Sequence, residues 1–220
     1  GTDQIGRDML TMLIYGARNM IALALLTTAC AFGLGSLLGF LAATMGGWVD
    51  QVLSRFVDVV ISIPTLIFAL IVLSSTGTSI LALVTVIAII YAMPVYRIAR
   101  AVAMDIEVMD YVEAARLRGE GLWWIMRKEI LPNALTPLAA EFGLRFCFVF
   151  LLISGLSFLG LGLQPPLADW GAMVRDNGGG IAWGFMHPLV PATCIALLTI
   201  GINLIVDSAV QKASGLREDH

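Results

Sequence analysis

Residues able to do covalent chemistry are few in this sequence, and their spacing argues against catalysis. A nucleotide-binding loop places a lysine directly after glycine, where its ammonium reaches the phosphates. Here Lys128 and Lys212 follow Arg127 and Gln211. No HExxH or GxSxG frame occurs, and with only His187 and His220 present a histidine-based site is not expected. Cys30, Cys147 and Cys194 each lie in an apolar run. Their spacing suits neither a disulfide framework nor a zinc site, so they read as small buried hydrophobes. Gly178-Gly179-Gly180 reads as a flexible loop rather than a phosphate cradle. The expectation is a chain with no catalytic residue, no metal and no cofactor of its own.

The elements around these residues are mostly membrane spans. The chain is 59% hydrophobic and 13% charged, with a mean hydropathy of +0.90, whereas soluble domains carry about a quarter charged residues. Five long apolar segments stand out, at residues 17–45, 49–75, 80–96, 134–163 and 188–210. They are continuous and do not alternate, so they predict helices rather than barrel strands. The fold class is therefore an all-α integral membrane protein, a single domain over residues 1–220. The net charge of −3 says little about partners, and no nucleic acid is expected among them. The placement of the basic residues says more. Arg55, Arg97, Arg100, Arg116, Arg118, Arg127, Lys128, Lys212 and Arg217 fall on one side of the spans, and only Arg7, Arg18 and Arg175 on the other. The positive-inside rule puts the first set, and the C-terminus, in the cytoplasm.

One polar module interrupts the spans, an elbow at residues 105–132 around Glu113-Ala114-Ala115-Arg116-Leu117-Arg118-Gly119. Asp105 is expected to cap a helix starting near Ile106. Acidic Glu107, Asp110 and Glu113 come early and Arg116 and Arg118 late, an order that suits the helix dipole. Gly119 and Gly121 break it, and a second short helix, 122–130, is closed by Pro132. Val108, Val112 and Ala115 predict one apolar face, and Leu122, Ile125 and Met126 another. On these grounds alone, an amphipathic pair resting at the lipid interface and a docking surface for a soluble partner stay equally open. Trp123 and Trp124 fit both.

Glu113-Ala114-Ala115, three residues, Gly119, then Ile130-Leu131-Pro132 resembles the EAA loop of ABC importer permeases. Gly1-Thr2-Asp3, Gly6-Arg7-Asp8, Tyr15-Gly16-Ala17-Arg18, Gly46-Gly47-Trp48-Val49-Asp50 and Arg55-Phe56-Val57-Asp58 are similar to the dipeptide, oligopeptide and nickel permeases. So are Ser157-Phe158-Leu159-Gly160-Leu161-Gly162, Gln164-Pro165-Pro166 and Trp170-Gly171-Ala172-Met173, all in order along the chain. The resemblance is strongest to the second, C-type permease subunit. It implies a type I ABC importer fold in the bacterial inner membrane, in which this chain is the permease for peptides or a related small solute such as a nickel complex. The implied partners are a homologous second permease, two cytoplasmic ATPase subunits that bind ATP and Mg, an extracytoplasmic solute-binding protein, and the lipid bilayer. It also implies a further span before Gly1, so a trimmed start is expected. Coupling to the ATPase would fall to Glu113, Ala114, Ala115, Gly119, Leu122, Ile130 and Pro132. Glu129 stands where the common pattern has an aliphatic residue, with Ile130 beside it. Ile153 stands where many relatives carry an acid.

Two further expectations follow. Pro64 deprives the second span of a backbone bond and would strand a carbonyl near Val60. That face should turn toward the partner permease, with Asp58, Ser62, Pro64 and Thr65 lining a pathway or gate; a packing kink is the alternative. In the outer loop at 164–187, Gln164-Pro165-Pro166 stops the fourth helix. Residues 167–173 should fold back, with Trp170 at the membrane interface and Gln164, Asp169, Trp170 and Met173 contacting the binding protein or the partner permease; an interfacial plug with no partner is the alternative. Glu141 and Arg145 read either as an i,i+4 ion pair or as a mark of a different cargo. Two other function classes stay in view. An ion-coupled secondary transporter would draw on Asp58, Glu141, Arg145, Asn203 and Asp207, and a non-transporting membrane scaffold would leave the elbow unexplained.

Overall fold

The computed structural model describes residues 1–3 and 6–213, without the side chains of 209–213. The side chain of Lys212, and Arg217, His220 and the expected cytoplasmic C-terminus, lie outside what is described. The elements in order are α1 (Met9–Met45), α2 (Gly47–Ser62), α3 (Thr65–Thr76), α4 (Ile80–Glu107), α5 (Asp110–Leu117), α6 (Leu122–Ile125), α7 (Leu131–Phe158), α8 (Trp170–Asn177) and α9 (Leu189–Ala213). Among the described residues, four helical stretches are long and apolar enough to cross a membrane. The α2–α3 pair, bent by 88°, makes a fifth if it crosses as one broken span.

The parallel seam of α1 and α4 organises the fold. Gly35 and Gly39, four apart on α1, let α4 approach until a Cβ on Gly39 would lie 2.8 Å from the Arg100 nitrogen and the Tyr96 oxygen. Small residues of this kind bring membrane helices into backbone contact. Ala92, Ala99 and Ala103 on α4 are fully buried in return. At one end of this seam Phe40, Ala99 and Ala103 join Val112, Ala115, Ile125 and Ile130 in a single apolar cluster. At the other end Met20, Leu83, Phe150, Ile153 and Trp170 form a second.

Several boundaries differ from the sequence expectation, each for a local reason. The helix expected over residues 80–96 contains Pro94 and runs on to Glu107. One lost backbone bond is outweighed because Val95, Tyr96, Ala99 and Ala103 beyond it are buried. Asp105 therefore lies inside α4 and caps nothing; the elbow helix starts after Met109, which provides no side-chain cap. The chain turns at Val108, which is 81% exposed instead of sharing a face with Val112. Pro132 does not close a helix. A π-helical turn at Met126–Ile130, with the Leu131 N–H bonded to the Met126 carbonyl, shifts the register just before it. The proline falls in the first turn of α7, where a missing donor costs little. Pro64 does more than kink its span: α2 ends at Ser62 and a separate helix begins at Thr65.

Candidate functional site

The elbow is the most clearly built surface. α5 ends in a Schellman arrangement, with the Gly119 N–H on the Arg116 carbonyl at 2.9 Å and the Glu120 N–H on the Ala115 carbonyl at 3.2 Å. Gly119 has φ of 84°, the left-handed region expected for it. Val112 and Ala115 point down and are fully buried. A second clip is the ion pair between Arg116 and Glu107 at the end of α4. The Arg118 guanidinium sits 5.7 Å above the Trp124 ring.

This seating sorts the expected coupling residues. Ala115 and Ile130 meet in the buried cluster beneath the elbow and support it rather than face a partner. Glu113, Ala114, Gly119, Leu122 and Pro132 are exposed. Leu117, not singled out from the sequence, is 83% exposed. It is five residues from Val112 and two from Ala115, so helical periodicity places it off the apolar face that those two residues mark.

The pathway candidates gather at the α2–α3 break but do not form one polar wall. Asp58 pairs with Arg97 of α4 at 2.5 Å. The Ser62 hydroxyl donates to its own Val59 carbonyl at 2.7 Å, and the Val60 carbonyl expected to be stranded accepts from the Ile63 N–H at 3.3 Å. Thr65 lines a cavity of about 120 Å³ together with Arg145. A second ion pair at this end of the seam joins Asp50 of α2 to Arg100 of α4, Nη2 to Oδ2 at 2.5 Å. Partners 39 and 50 residues apart in the chain carry no sequence signal, so Arg97 and Arg100 read from the sequence only as orienting charges.

The loop at 164–187 departs furthest from expectation. Trp170 is not at a lipid interface. It is 6% exposed, packed edge-on to Phe150, and its indole N–H donates to the Leu13 carbonyl at 2.9 Å. Met173 is buried beside it in the same apolar cluster. Asp169 is 1% exposed; it caps α8 by accepting from the Ala172 N–H at 3.0 Å and accepts from the Ser157 hydroxyl at 2.6 Å. Burial pushes its carboxyl above the usual range, and the Ser157 and backbone donors hold the rise back. The apolar core gives Trp170 more burial than an interface does, with its one polar atom still satisfied. Of the four residues expected to contact a partner here, only Gln164 is exposed, and its amide donates to the Gly160 and Gly162 carbonyls.

A broken span, a glycine-packed helix pair and an elbow seated on its end define a multi-pass membrane transport subunit. Residues 35–213 match the family model described as the binding-protein-dependent transport system inner membrane component. Among similar proteins is the probable D,D-dipeptide transport system permease protein DdpC of Escherichia coli, 34% identical over 208 residues, which are 94% of this chain and 70% of that one. Another is the di/tripeptide transport system permease protein DppC of Pseudomonas aeruginosa, 35% identical over 208 residues, 94% of this chain and 68% of that one. In fold the chain matches the inward-facing MetNI methionine ABC transporter, with a TM-score of 0.73 at 19% identity, covering 93% of this chain and 97% of that chain. The chain belongs to the binding-protein-dependent transport system inner membrane components, and its fold is that of the type I ABC importer permeases.

Proposed function

We propose that this chain is one permease subunit of an ATP-driven peptide importer in a bacterial inner membrane. A homologous second permease encloses the pathway with it, two cytoplasmic ATPases dock on the elbows, and an extracytoplasmic binding protein delivers the cargo. ATP and Mg belong to the ATPases. The observation that carries this reading is the elbow. α5 is fixed from below by Val112 and Ala115 and tied at its side by Arg116 and Glu107, and it keeps Glu113, Ala114 and Leu117 outward. A rigid, shaped surface at the end of two spanning helices transmits a push. A lipid-resting amphipath would instead direct its apolar face at the bilayer.

The peptide class is supported by the relatives, dipeptide and di/tripeptide transport permeases among them. The orientation is supported by the clustering of Arg97, Arg100, Arg116, Arg118 and Arg127 around the elbow end of the seam. Ion-coupled transport finds less support, since Asp58 and Glu141 each already hold an arginine.

The test is ATP-dependent accumulation of a labelled dipeptide by proteoliposomes. They carry this chain, its partner permease, the ATPases and the binding protein. The expected result is uptake that needs ATP, the binding protein and both permeases. Uptake that follows an ion gradient without ATP would reject the proposal.

A further inference from the structure

A small cavity lies beside the break between α2 and α3, about 120 Å³ in volume, walled by Ile63, Thr65, Tyr91, Pro94 and Arg145. Arg145 is near the middle of α7 (Leu131–Phe158), deep in a stretch able to cross a membrane. Its Nε donates to Glu141 at 2.5 Å, one turn away on the same helix. Its guanidinium lies over the Phe148 ring, 5.9 Å from the centroid. The two terminal nitrogens have no acceptor among the described residues, and neither does the Thr65 hydroxyl. The Tyr91 hydroxyl donates to the Phe148 carbonyl at 3.1 Å, which leaves its oxygen able to accept.

An ion pair formed only to stabilise a helix asks for neither a cavity nor a fork. A guanidinium midway along a spanning helix, with no protein acceptor for its terminal N–H groups, is costly unless water or a ligand in the cavity satisfies them. Its planar donors match a carboxylate. The ion pair with Glu141 is already neutral, so a lone carboxylate would leave one excess negative charge in a poorly solvated place. A cargo that brings its own ammonium group removes that excess, and a free peptide is such a molecule. The cavity holds the volume of about four liquid waters. That takes the carboxylate end of a peptide and leaves the rest toward the space shared with the partner permease.

We propose that Arg145 is the residue within the membrane that receives the free C-terminal carboxylate of a zwitterionic peptide cargo, with the Thr65 hydroxyl as a second donor in the wall of the same cavity. The proposal rests on the peptide-importer reading above. Removing Arg145 alone would leave Glu141 unpaired in the membrane, so the informative variant is the double substitution Glu141→Gln with Arg145→Gln, which removes both charges together. Arg145→Lys is its companion, keeping the charge but losing the fork.

The measurement is uptake of trialanine and of trialanine amide by the complete reconstituted importer, variant against wild type. The binding protein is common to both, so its own preference cancels in the comparison. The double variant is expected to lower trialanine uptake about tenfold or more, the worth of a charge-assisted hydrogen bond, while the amide changes by less than about twofold. Arg145→Lys should fall in the same direction by a smaller factor. ATP hydrolysis stimulated by the binding protein should be retained in both. Equal losses for the two peptides, or an unchanged ratio, would overturn the assignment while leaving the importer reading intact. A wild-type complex that hydrolyses ATP in response to its binding protein yet moves neither peptide would reject the peptide reading itself, and the assignment with it.

Discussion

Gly119 ends the elbow helix at φ of 84°, and a Cβ placed on it would meet nothing within 4 Å. A substitution there therefore tests backbone conformation alone, with no clash to confuse the result. A non-glycine residue in the left-handed region costs about 1–2 kcal/mol, and a β-branched one sits at the upper end. Set against total stabilities of about 5–15 kcal/mol, Gly119→Val leaves the subunit folded, yet 1–2 kcal/mol changes a local equilibrium by a factor of about 5–30. That factor should appear in how often the elbow holds its docking shape. Gly119→Asn is the control, because asparagine visits this conformation readily. The assay is peptide taken up per ATP hydrolysed in proteoliposomes. Gly119→Val is expected to lower uptake about 5- to 30-fold at equal incorporation, with Gly119→Asn close to wild type. The reasoning fails if valine transports normally, or if asparagine is as damaging as valine.

Three further outcomes follow from the packing. Leu117→Ser removes an exposed side chain whose burial against a partner is worth about 1.5–3 kcal/mol, so the Kd for the ATPase subunit should weaken about tenfold or more. The permease's own unfolding should stay within about 0.5 kcal/mol. Gly39→Val pushes a Cβ into backbone atoms of Tyr96 and Arg100 and should cost about 1–3 kcal/mol, read as a lower thermal midpoint in detergent. Gly33→Val on the same helix, with open space around it, is the comparison that should be milder. Asp169 binds its proton more tightly folded than unfolded, so it costs stability that is fully felt above its raised value. That stability is regained as pH falls toward the ordinary carboxylate value of about 3.9. Asp169→Asn keeps an oxygen for the α8 cap and has no proton to exchange. Its thermal midpoint should be flatter than wild type across that window, and equal pH slopes would contradict the burial argument.

What was legible in the sequence was what depends on near neighbours or on composition. The apolar runs gave the spans, and Gly119 after a charge-graded helix gave the left-handed end. Glu141 and Arg145 form the i,i+4 pair that their spacing allows. Errors came where distant contacts decide. The third span was expected to end at residue 96, but α1 packs against α4 on both sides of Pro94 and the helix continues to Glu107. Trp170 reads as an interface anchor because its apolar pocket, built from α1 and α7, is invisible at residue 170. Asp169 and Met173 were expected to face a partner, but the same pocket draws them inward. Asp58 was visible as an acid in a span, and its arginine was not, since the packing of α4 against α2 brings it from 39 residues away.

The central claim is that the outward face of α5 is where an ATPase subunit docks, and cysteine crosslinking tests it most directly. With Cys30, Cys147 and Cys194 replaced by alanine, Leu117→Cys and Val112→Cys are compared in the purified, ATPase-containing complex. Leu117→Cys should crosslink to the ATPase, and in vesicles an impermeant thiol reagent should reach it only from the ATPase side. Val112→Cys, fully buried beneath the elbow, should do neither. An ATPase-bound complex in which position 117 never crosslinks, or labels from the opposite side, would contradict the account.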